Sequence, residues 1–140
     1  MDISVYTDAS YCHKTKIAAC GYCILKYGEF LFHEVVLYSD VLSSTQAESL
    51  AISAGLQKAF LINDVKSISV NTDCITLSDK YKRTRNKTQY KEMKEVIAII
   101  KEHKIGISIN FLRGHNGHTY NEFIDKSCKL NLRNYLKQSK

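Results

Sequence analysis

Ile3-Ser4-Val5-Tyr6-Thr7-Asp8 alternates apolar and polar residues and ends on a carboxylate, and Ile68-Ser69-Val70-Asn71-Thr72-Asp73 repeats it with five of six residues identical. Period-two alternation marks a strand with one buried face. Six residues are too few for an internal repeat. The coincidence instead implies two strands of one sheet that end alike, so that Asp8 and Asp73 emerge side by side at one edge. Two adjacent carboxylates repel when both are ionised, so such a pair needs either a raised pKa on one member or a bound cation.

Working outward, a polar loop is expected over Ala9 to Lys16, followed by apolar runs at Ile17 to Leu25 and Phe30 to Tyr38 around the turn residues Lys26-Tyr27-Gly28-Glu29. Two such runs around a short turn predict an antiparallel hairpin, and with the first strand they make a three-strand meander. Ala47, Leu50, Ala51 and Ala54 recur at helical spacing and predict a helix from about Thr45 to Phe60, small enough on one side to lie close on a sheet. With a helix between them, the strands ending at Asp8 and Asp73 can run parallel. A short polar helix is expected after Asp73. Met93, Val96, Ile97 and Ile100 predict a helix ending near His103, and Ile105, Ile107, Ile109 and Phe111 predict a fifth strand. Gly114-His115-Asn116-Gly117-His118 reads as a loop, and Asn121 to Lys137 as a closing helix with Phe123, Ile124, Cys128, Leu130 and Leu132 on its buried side.

At 140 residues, with 44% hydrophobic and 24% charged residues, the chain fits one compact domain over residues 1–140. It shows neither a signal-peptide pattern nor a run of about 18 apolar residues, so a cytoplasmic protein with no membrane partner is expected. Five cysteines at irregular spacing do not form a secreted disulfide framework, and the lone Cys20-Gly21-Tyr22-Cys23 lacks a second pair for zinc. The net charge of +6 is unevenly placed. Lys80 to Lys91 and Lys126 to Lys140 carry bases and no acid. Such runs are either solvated faces or surfaces for a polyanion.

Two more acids join Asp8 and Asp73 in this layout. Glu48 lies one turn into the first helix, and Asp125 in the first turns of the last. Each has a plain structural reading: Asp8 and Asp73 as turn residues, Asp125 as a helix-start acid, Glu48 as the end of a Thr45-x-x-Glu48 capping box. Ser43-x-x-Gln46 is an alternative cap that leaves Glu48 free. Four carboxylates at the C-terminal ends of parallel strands and the adjoining helix ends form a site of hard oxygen donors, suited to Mg²⁺ or Mn²⁺.

Thr7-Asp8-Ala9-Ser10, Gln46-Ala47-Glu48, Asn71-Thr72-Asp73 and Gly114-His115-Asn116-Gly117-His118 with Asn121 and Asp125 resemble, in order and across nearly the whole chain, the type 1 ribonuclease H family. The interval from Asp73 to His115 is similar to that of the handle-less archaeal and retroviral forms. The resemblance implies an α/β fold of the RNase H type, a five-stranded mixed sheet in which three antiparallel strands are followed by parallel strands, flanked by helices. It implies an endoribonuclease acting on the RNA strand of RNA/DNA hybrids, leaving 5′-phosphate and 3′-hydroxyl ends. Two Mg²⁺ ions, replaceable by Mn²⁺, are expected: one on Asp8, Glu48 and Asp73, the other on Asp8 and Asp125, with His115 assisting proton or product transfer. Selectivity for RNA requires contacts to 2′-hydroxyls, for which Ser10, Ser44 and Thr45 beside the acids are candidates. Lys80, Lys82, Arg83 and Arg85 are candidates for phosphate contacts, and a monomer is expected. The rival readings are a four-carboxylate DNA nuclease or resolvase, and a module that binds hybrid or duplex without cutting it.

Overall fold

The structure, a computed structural model, describes residues 2–74, 90–112 and 119–138. Strands β1 (Ile3–Cys12), β2 (Ile17–Lys26) and β3 (Glu29–Tyr38) are followed by helix α1 (Ser44–Phe60), strand β4 (Ser67–Thr72), helix α2 (Lys91–Glu102), strand β5 (Gly106–Phe111) and helix α3 (Thr119–Gln138). They form one five-stranded sheet in the order β3-β2-β1-β4-β5. The hairpin neighbours β1/β2 and β2/β3 are antiparallel, and β1/β4 and β4/β5 are parallel. The mixed sheet expected from sequence is therefore present. The twin stretches pair in register, Ile3 with Ile68, Ser4 with Ser69, Val5 with Val70 and Tyr6 with Asn71.

β2 lies inside the sheet with a helix over each face, so both its residue sets are buried and its sequence is apolar without alternation. α1 and α2 cover one face around Ile3, Val5, Tyr22, Ile24, Ile68 and Val70. α3 covers the other, setting Ile124, Cys128 and Leu132 against Ala19, Cys23 and Leu25. Gly55, in the interior of α1, brings that helix close, since a Cβ there would lie 2.7 Å from Val5 Cγ1. Among the described residues no helix is long and apolar enough to cross a membrane.

Two expectations are corrected. The polar loop predicted from Ala9 is strand as far as Cys12, because pairing with β2 continues from Ala9↔Cys20 to Cys12↔Ile17. Phe123 and Leu130 are 39% and 53% exposed, whereas Ile124, Cys128 and Leu132, spaced by four, make the buried stripe of α3. The stripe continues to the fully buried Asn121, so the seam is narrower than the apolar composition suggests. The apolar residues of β3 are largely exposed because β3 is an edge strand. There Phe30 stacks on Tyr120 at 6.3 Å, and His33 meets Phe123 edge-on at 5.0 Å. The short helix expected after Asp73 falls outside the described residues.

The approach of α3 to the sheet depends on Gly21, which pairs with Asp8 across the β1/β2 ladder. A Cβ at Gly21 would sit 2.6 Å from Cys128 Sγ and 3.0 Å from Ile124 Cγ2. Gly21→Ala is expected to destabilise the protein by about 1–3 kcal/mol through overpacking. Cys128→Ala in the same chain should recover part of that loss, as read from urea unfolding midpoints. If the double variant is no more stable than the single one, α3 does not rest on the missing Cβ.

Candidate active site

β1 pairs with β2 along its whole length but with β4 only as far as Tyr6↔Asn71. Beyond that rung the β4 side of β1 is open, and Asp8 is the second residue into the opening. It is 4% exposed; its Oδ1 accepts the Ala9 N–H at 2.8 Å, and its buried Oδ2 has no hydrogen-bond partner. Asp73 follows the last residue of β4, where the Cys74 N–H donates to Thr72 Oγ1 at 3.1 Å and turns the chain at the strand end.

Of the two caps open to α1, Ser43 is the one used: its Oγ accepts the Gln46 N–H at 3.0 Å, and Gln46 Oε1 accepts the Leu42 N–H. Glu48 is thereby released from capping and turns toward the strand ends. Its Oε2 is buried and has no hydrogen-bond partner. One oxygen from each of Asp8, Glu48 and Asp73 lies within 4.8 Å of the others. Asp125 reaches the same place from α3, on the opposite face of the sheet from α1, and its carboxyl contacts that of Asp8.

The electrostatics follow from this crowding. Burial, and after it the charges of Asp73 and Asp125, push the Asp8 carboxyl up to about 7. Burial and the charges of Asp8 and Asp73 likewise hold Glu48 well above the ordinary carboxylate range. Behind the acids, the Cys128 thiol contacts the Asp8 carbonyl and Cys20 donates to the Ala47 carbonyl. Burial pushes both thiols far up, which makes them inert packing groups.

Three predicted acids thus meet and the fourth adjoins them. Ser10 is half-buried two residues beyond Asp8, Ser44 is exposed, and Thr45 is half-buried at the start of α1. His115, Lys80, Lys82, Arg83 and Arg85 lie outside the described residues. Two residues were not singled out from sequence. Thr7 is fully buried beside Asp8 with an unpartnered Oγ1. Lys129 places its Nζ 3.0 Å from Asp125 Oδ2. The acid-to-base spacing of four on a predicted helix was the available signal for the latter.

The donors fit a hard divalent cation: every candidate ligand atom is an oxygen, two buried oxygens lack partners, and the acids raise one another's pKa. No curated protein matches this chain. Among solved structures it is similar to RNase H1 from the archaeon Halobacterium salinarum, with a TM-score of 0.76 and 16% identity over 94% of this chain and 98% of that one. It is similar to LC11-RNase H1, isolated from compost and solved with an RNA/DNA hybrid, with a TM-score of 0.74 and 14% identity over 93% and 99%. The N-terminal RNase H domain of Mycobacterium tuberculosis rv2228c gives 0.76 and 12% over 99% and 98%. At these identities the likeness speaks for the fold. The RNase H family model, however, matches the sequence itself over residues 1–133, and with the acids gathered where two parallel strands part, the chain belongs to the RNase H family.

Proposed function

We propose that the chain, acting as one catalytic domain, hydrolyses the RNA strand of RNA/DNA hybrids and leaves 5′-phosphate and 3′-hydroxyl ends. The observation that carries this reading is the convergence of Asp8, Glu48 and Asp73 within 4.8 Å, with two buried oxygens unpartnered. Asp8, Glu48 and Asp73 would hold one Mg²⁺, and Asp8 with Asp125 a second. When bound, such ions lower the pKa of an attacking water and neutralise charge on the leaving oxygen. Asp8 serves both sets, and the Ala9 N–H holds its Oδ1 so that Oδ2 stays turned into the cluster. Ser10, Ser44 and Thr45 flank the acids with short polar side chains suited to 2′-hydroxyls. Lys80, Lys82, Arg83 and Arg85 supply positive charge for backbone phosphates.

Incubation with end-labelled hybrid, duplex RNA, duplex DNA and single strands, in Mg²⁺ and in chelator, tests this. Cleavage confined to the RNA of the hybrid, and absent in chelator, is expected. Cleavage of duplex DNA instead would make the site a four-carboxylate DNA nuclease. Histidine is the side chain whose charge changes near neutral pH, and this suits His115 to a proton-transfer role. His115→Ala is expected to slow turnover by about 10²-fold without abolishing it. A variant with no residual turnover would assign His115 to something other than proton transfer.

A further inference from the structure

The four acids are not equivalent in charge. Asp8 and Glu48 each keep a buried oxygen with no partner, and none of the described Lys or Arg side chains pairs with either. Asp125 already has a cation, with Lys129 Nζ 3.0 Å from its Oδ2. The pair joins residues one helical turn apart on α3, acid first, the favourable orientation for such a pair. Lys129 is 60% exposed and Asp125 20%, so the ammonium approaches from solvent onto a carboxylate whose other side faces Asp8. The ammonium therefore stands at the solvent side of the carboxylate that a second divalent cation needs.

We propose that Lys129 is a positioning residue that competes with the second divalent cation for Asp125, and so sets the metal concentration at which the site fills. The proposal rests on the metal-centre reading above. An ammonium at hydrogen-bonding distance supplies part of the charge that Asp125 otherwise takes from the metal, and it repels a dication placed between Asp125 and Asp8. The three-acid side at Asp8, Glu48 and Asp73 feels this competition less, since among the described residues the Lys129 ammonium pairs with Asp125, and the Asp8 charge acts on it only as a smaller contribution. The site is thereby biased toward sequential filling, three-acid side first. Because the pair is largely solvated, the competition is a several-fold effect and not one of many orders of magnitude.

The test is a MgCl₂ titration of the full chain, following the melting temperature without substrate and the cleavage rate on labelled hybrid. Lys129→Met is expected to lower, by about three- to tenfold, the Mg²⁺ midpoint of cleavage and of the later, higher-concentration phase of the thermal titration, in which the Asp125 side fills. Lys129→Arg, which keeps the charge, should retain the wild-type midpoint. Lys91→Met removes the same charge from a looser, more exposed i,i+4 pair with Glu95 on α2, 3.8 Å apart, and serves as the charge control. It should leave the thermal midpoint in place. Midpoints for Lys129→Met within twofold of wild type, or an equal shift in Lys91→Met, would overturn the proposal while leaving the metal centre standing. If Mg²⁺ changes neither melting nor cleavage in the wild type, the metal-centre reading falls, and the role of Lys129 falls with it.

Discussion

Asp8→Asn is expected to lower Mg²⁺-dependent cleavage of an RNA/DNA hybrid by at least about 10³-fold and, in chelator at neutral pH, to raise the melting temperature. The two effects share one cause. Asp8 is the most enclosed of the acids, and it is the one on which Glu48, Asp73 and Asp125 all act. Replacing it with a neutral isostere removes the anion common to both proposed ion sites; a loss of about 4 kcal/mol of transition-state stabilisation corresponds to about three decades in rate. The same anion costs the metal-free fold free energy, since its burial and the Asp73 charge push its pKa up to about 7. The Asn amide fits the same space, keeps an oxygen for the Ala9 N–H, and turns an N–H₂ toward the remaining carboxylates. A gain of about 1–3 kcal/mol is expected, roughly 3–10 °C in a chain of this size. Cleavage and thermal unfolding measured on one preparation separate the outcomes. Retained cleavage would remove Asp8 from the chemistry, and a lower melting temperature would mean that its charge is paired in the native state.

How far the sequence carries this reading depends on what each inference needed. The position of Asp8 and Asp73 required only two parallel strands of matching pattern, a short-range signal joined to a topological rule, and the register Ile3↔Ile68 realises it. Glu48 required a choice between two caps that differ by two residues, and only the Ser43–Gln46 bond decides it. The extent of β1 was misjudged because Ser10 and Cys12 sit on the part of the strand that β4 no longer accompanies, where partial exposure admits polar residues. Composition does not show that β3 is the outermost strand, and it is this edge position that leaves Phe30 and Phe32 exposed. Leu130 and Phe123, expected on the buried side, are exposed because the seam of α3 is a single stripe spaced by four: Phe123 lies beside it against His33 of the edge strand, and Leu130 lies about half a turn round the helix from it. Lys129 was hidden inside a basic run, where charge alone does not say which carboxylate a lysine meets.

In chelator, the metal-free protein is expected to be most stable at mildly acidic pH, about 4–5, and to lose about 2–4 kcal/mol on going to pH 8. The direction is opposite to that of a protein whose carboxylates are paired with bases. In the folded state the Asp8 carboxyl titrates near 7, against 3.8 as its ordinary value, so the native protein holds a proton that the unfolded chain has released. That contribution is complete below about pH 3.8 and disappears as pH rises through 7, at about 1.4 kcal/mol per unit of separation. Glu48 adds to the same slope, because its carboxyl is also raised. Asp2 sets the acid limb. Burial pushes its carboxyl up, but the Lys66 N–H and the Ser67 hydroxyl and N–H outweigh that and hold it at about 2. Its contribution is present above the ordinary value and is lost as pH falls through 2, which places the optimum between the two groups. Mg²⁺ should reverse the neutral limb, since it binds the deprotonated acids and stabilises the native state by mass action most where protons compete least. Urea midpoints at several pH values between about 4 and 8, in EDTA and in Mg²⁺, measure both limbs. Asp8→Asn in EDTA should flatten most of the neutral slope. Stability that stays level or rises from pH 5 to 8 in EDTA would mean that the four acids are already compensated without metal, and the electrostatic case for a cation between β1, β4, α1 and α3 would fail with it.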